Sequence, residues 1–158
     1  AHGLASALGG KLEAPHSVIA ARLAPHVMME NIKAAQDAER HDVLSRYKKM
    51  AILLTGRVNA KREDGVLWAN MMLDKLSLPT LSQFGVCSTS FDVVAEDALK
   101  SVAIKGNPLP LTKQRLTYIL QQVCNCNDDC LAEDSSEQSS ARVVNSGLSD
   151  VEARLQNS

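Results

Sequence analysis

Apolar side chains recur along most of this chain at the three-to-four-residue spacing of a helix, and no segment alternates strongly enough to predict a strand. The cleanest case is 39–55. Val43, Leu44, Tyr47, Met50, Ala51 and Leu54 share one face, Arg46, Lys48 and Lys49 lie opposite, and Gly56 follows as a stop. A charged connection, 57–64, leads to a helix over 65–77 that ends before Leu78-Pro79-Thr80. Further helices are predicted over 90–103, with Ser90 as N-cap and Phe91, Val94, Ala95, Ala98 and Val102 inward, and over 112–123, capped by Thr112. Residues 2–8 make a short helix ended by Gly9-Gly10. The next helix, 17–34 with Ser17 as N-cap, has a different pattern. Val18, Ile19, Ala20, Ala21, Leu23, Ala24, Val27, Met28 and Ile32 leave only a narrow polar stripe of Arg22, His26, Glu30 and Lys33. A helix this apolar belongs inside a bundle, and Pro25 should kink it. The pattern therefore predicts an all-α helical bundle.

After Cys124 the pattern fades. Residues 125–146 are rich in Asn, Asp, Ser, Glu and Gln and read as disordered, and 149–156 reads as a short amphipathic helix opened by a Ser149…Glu152 capping box. The chain thus divides into a helical domain, 1–123, and a polar tail, 124–158.

Composition adds limits. Aromatics are only 3% of the residues, so Leu, Val, Ile, Ala and Met must build the core. A net charge of −1 gives no ground for nucleic acid or an anionic membrane as partner. No apolar run is long enough for a membrane span, and the first ten residues lack the form of a signal peptide. The expectation is a cytoplasmic protein with reduced thiols at Cys87, Cys124, Cys126 and Cys130. Cys124, Cys126 and Cys130 could in principle hold zinc, but they lack a C-x(2)-C pair and a fourth ligand, so unpaired thiols are the preferred reading. Cys87 reads as a small core residue.

Candidate metal chemistry lies at the start of the chain, where His2 and His16 flank the diglycine and Pro15. On one straight helix the two imidazoles would stand ~21 Å apart, whereas ligands of one ion each lie only ~2 Å from it. They can share an ion only if the chain reverses between them. Gly9-Gly10 is the natural place, since glycine adopts backbone angles that other residues avoid. His26, on the polar stripe, reads as a hydrogen-bonded structural histidine, and His41, in a charged segment, as solvated.

These residues resemble a known family. His2-Gly3, Leu8-Gly9-Gly10, Pro15-His16 and the run Ala21 to Met28 are similar to a stretch of the iron-containing alcohol dehydrogenases. Leu78-Pro79-Thr80-Leu81, Phe84-Gly85-Val86, Asn107-Pro108 and Pro110-Leu111-Thr112 resemble later landmarks of that family, in the same order. The resemblance covers roughly residues 1–122 and implies the helical C-terminal domain, of the dehydroquinate synthase-like type, with His2 and His16 as two metal ligands. It also implies that the complete enzyme moves hydride between an alcohol or aldehyde and NAD(P) with a divalent ion, iron or zinc, and could form a homo-oligomer. The family's other two ligands, an aspartate and a histidine, precede this stretch, as does its nucleotide-binding domain. There is no dinucleotide fingerprint here, and Ser6 and Ser17 stand where the family often has histidine and glycine. The chain is therefore read as a fragment that binds no cofactor and is inactive alone. The rival reading is a non-catalytic helical module for protein contacts.

Overall fold

The computed structural model describes residues 1–124. Its centre is α2, His16–Asp37, which buries Ile19, Leu23, Val27, Ile32 and Ala35 and packs against four other helices. These are α1 (His2–Gly9), α3 (His41–Thr55), α4 (Arg62–Lys75) and α6 (Lys113–Cys124). The remaining helix, α5 (Phe91–Lys100), lies against α1 and α6. Three 3₁₀ turns complete the unit, at Leu81–Phe84, Val86–Ser88 and Val102–Gly106. Among the described residues there is no strand, so the fold is the all-helical one expected. None of these helices is long and apolar enough to cross a membrane.

The sequence pattern located the helices, and side-chain chemistry moved several ends. α2 starts one residue early, with Pro15 at its cap, so Ser17 lies inside the first turn and caps nothing. The helix continues through Pro25, which is fully buried. α4 begins at Arg62, three residues before the expected 65, because Asp64 accepts the Lys61 N–H at 3.1 Å and turns the charged run into a first turn. α5 stops at Lys100. Ser101 Oγ accepts the Ala103 N–H at 3.2 Å and starts a 3₁₀ turn, which leaves Val102, expected inward, 79% exposed. Gly56, at φ 69°, does end α3 as expected, and its N–H donates to Ile52 O at 2.9 Å. Gly65 lets α4 sit close on α3, since a Cβ there would stand 3.1 Å from the Ala51 Cα.

Three polar anchors attach distant segments to α2. Arg22 donates to the carbonyls of Leu78 and Pro79 and pairs with Asp74 at 3.0 Å, so the chain leaving α4 is held on α2. Glu30 is buried, yet it receives Lys33 Nζ at 2.7 Å and Arg115 Nη1 at 3.1 Å, which offsets its desolvation. Buried Asn31 donates to Asn107 Oδ1 at 3.0 Å and to Tyr47 Oη at 3.1 Å, while Asn107 Nδ2 donates back to Asn31 and to Leu109 O, both at 2.6 Å. His26 departs from its expected role. Its ring makes no hydrogen bond among the described residues, and burial, then the Arg22 charge, push its pKa below the usual 6.5.

The cysteines overturn a second expectation. Cys87, in the turn Val86–Ser88, and Cys124, the last residue of α6, form a disulfide across 37 residues, with Cα atoms 5.3 Å apart. These two are not reduced thiols, and Cys124 cannot serve a zinc site with Cys126 and Cys130 while it is bonded. The expectations for 125–146, 149–156, Cys126 and Cys130 fall outside the described residues.

Two outcomes follow. Replacing Cys87 and Cys124 together by serine should lower the unfolding free energy by about 2–4 kcal/mol, measured by urea titration against the oxidised parent. An unchanged midpoint would show that the bond adds nothing. Because His26 binds its proton less readily when folded than when unfolded, falling pH must cost stability from about 6.5 downward. His26→Gln should flatten that part of the stability–pH curve; an identical slope in the variant would reject the assignment.

Candidate metal centre

His2 opens α1 and His16 opens α2. Between them the chain reverses over 10–15, pinned by Lys11 N–H and Leu12 N–H donating to Leu8 O at 2.8 and 3.0 Å, with the Leu12 side chain buried. The reversal is where the sequence put it, but the expected reason does not hold. Gly10 sits at φ −83°, ψ −5°, and neither glycine has a positive φ, so the backbone there is open to any residue. A Cβ on Gly9 would meet His16 Nδ1 at an ordinary 3.8 Å, so clearance does not demand glycine either. Buried Leu4, Ala5 and Leu8 on α1, packed against α2, hold the two helix starts together.

The result is a close pair. His16 Nε2 lies 3.0 Å from His2 Nδ1, the ring centroids are 4.9 Å apart and the planes cross at 77°. Both rings are exposed. Two ring nitrogens facing each other at this distance need something positive between them. In the free pair that is one proton, donated by whichever ring carries it. A cation can take the proton's place. Imidazole–metal bonds of ~2.0–2.1 Å at a right angle would set two nitrogens roughly 3 Å apart, so the donor chemistry and the spacing fit neighbouring ligands of one divalent ion. They do not make a complete centre. Among the described residues no group of three or more His, Cys, Asp or Glu side chains converges anywhere. His41 is exposed on the first turn of α3 and makes no contact with the pair among the described residues.

A cavity of about 190 Å³ opens beside His2, lined by Val27, Ile104, Leu111 and Leu116 with Asn107 as a polar member. Its wall depends on Gly3. A Cβ there would stand 3.1 Å from the backbone nitrogen and Cβ of Ile104, so any larger residue would push the Val102–Gly106 turn away from α1. Sequence reading used Gly3 as part of the His2-Gly3 landmark and gave it no packing role. The available signal was its place directly after a candidate ligand.

The profile described as "Fe-containing alcohol dehydrogenase family, C-terminal" matches residues 1–124. Two curated sequences named Alcohol dehydrogenase 4, from Saccharomyces cerevisiae strains YJM789 and S288c, are each 26% identical over 122 residues. That alignment takes in 77% of this chain but only 30% of each yeast protein. No solved structure matches significantly. A profile covering every described residue, over an all-helical fold that brings the two motif histidines together, places this chain in the Fe-containing alcohol dehydrogenase family, within its C-terminal domain.

Proposed function

We propose that this chain is the metal-holding part of an alcohol dehydrogenase that moves hydride between an alcohol or aldehyde and NAD(P). His2 and His16 are the two ligands it contributes to a divalent ion, iron or zinc. The observation that carries the reading is the 3.0 Å approach of His2 Nδ1 and His16 Nε2 across a fourteen-residue reversal. When bound, such an ion acts as a Lewis acid that lowers the pKa of an alcohol hydroxyl. The protein's part is to bind and position. α1 and α2 fix the two imidazoles, whose neutral nitrogens must give up the proton they share before they can ligate. The small cavity beside His2, of mixed polar and apolar lining, has room for a short alcohol against Val27, Leu111 and Leu116, and Asn107 in its wall is held by Asn31 and Leu109 O. NAD(P) binding falls to other sequence, because this stretch carries no glycine-rich phosphate fingerprint. Two imidazoles alone hold an ion weakly, since tight sites use three or four protein ligands, so the 158-residue chain on its own should be inactive.

Zinc titration followed by NMR tests the pair directly. The ring protons of His2 and His16 should shift together, only at roughly millimolar zinc for a two-ligand site, and His2→Ala should abolish the response of His16. Rings that respond independently would dissolve the pair. In the complete enzyme, His2→Ala and His16→Ala should each strip the ion and cut kcat/KM by about 100-fold or more. NAD-dependent turnover by the pure 158-residue chain would refute the division of labour.

A further inference from the structure

From Val43 to Arg62 the chain carries six cations, Arg46, Lys48, Lys49, Arg57, Lys61 and Arg62, and no carboxylate, although its net charge is −1. Helical spacing sets His41, Leu44, Ser45 and Lys48 in one stripe along α3. That stripe faces residues 59–63, the loop into α4 and its first turn, across a cavity of about 570 Å³. The floor is buried and apolar, formed by Leu44 and Ala60. Lys48, Lys61 and Arg62 surround it, with Ser45 and Asn59 as neutral hydrogen-bonding groups. Glu63 is the acidic lining residue, and it is taken by Arg62 at 3.1 Å. Arg57 is likewise taken by Asp64 at 2.9 Å. Lys48 and Lys61 are both exposed and have no carboxylate partner among the described residues.

We propose that this groove binds a small phosphorylated molecule bearing at least two negative charges, at a place that shares no residue with the His2–His16 pair. The lining leaves a local excess of two positive charges in a chain that is slightly acidic overall. Lysine serves phosphate well as a point charge, and the concave shape raises the field between its walls. The volume is that of a small-molecule site, ~300–1,000 Å³. A buried apolar floor under a cationic rim suits a phosphorylated metabolite with a carbon skeleton.

The test is an amide NMR titration of the full 158-residue chain with inorganic pyrophosphate, against sodium chloride at equal ionic strength. Saturable shifts confined to 41–48 and 59–63 are expected. The double variant Lys48→Ala, Lys61→Ala should raise the dissociation constant about tenfold. Arg46→Ala with Lys49→Ala, which removes two cations of the same helix outside the groove, should leave it nearly unchanged. Shifts spread over all exposed cations, an equal response to chloride, or equal weakening by both pairs would overturn the proposal.

Discussion

The structure depends on enclosing α2. Ile19, Leu23, Val27, Ile32 and Ala35 project from a helix with only a narrow polar stripe, and water cannot cover so much hydrocarbon cheaply. Four helices supply the cover. Packing α1 against this helix is what brings His2 alongside His16, so the approach of the two imidazoles follows from core burial and needs no dedicated loop geometry. The polar stripe is used as well. Arg22, Glu30 and the adjacent Asn31 fasten the chain after α4, the start of α6 and the loop at Asn107 to the same helix.

Much of this was legible in the residues. The sequence pattern found all six α-helices, most of which carry a buried face with a helical repeat; α4, with only Gly65 and Val66 buried, does not. The two histidines stood out because they bracket a turn and match a motif. Helix ends were harder to read because they are decided by single hydrogen bonds. Asp64 to the Lys61 amide and Ser101 to the Ala103 amide each moved a boundary, and neither changes the apolar pattern.

What escaped the sequence is mostly tertiary. Nothing local marks Asn31 and Asn107 as partners, and nothing local says that Cys87 meets Cys124 rather than a neighbour in the C-x-C-x(3)-C cluster. The disulfide also overturns the reduced thiols expected at Cys87 and Cys124 from the lack of a secretion signal. The diglycine teaches the reverse lesson. It marked the correct place for a turn, yet its backbone angles are ones any residue adopts, and the tight clearance beside His2 sits instead at Gly3 against Ile104.

The anchors on α2 bear on how the chain is made. Glu30 gains its second ion-pair partner, Arg115, 85 residues later, and Asn31 gains Asn107 76 residues later. A nascent chain leaving the ribosome therefore keeps one side of its longest helix uncovered, with Glu30 paired to Lys33 alone, until the last described helix has been synthesised. High sequence separation of this kind slows folding and lengthens exposure to aggregation. The two histidines are different: they depend on α1 and α2 alone, so their approach needs only the first 37 residues, while one side of α2 stays uncovered until α6 arrives.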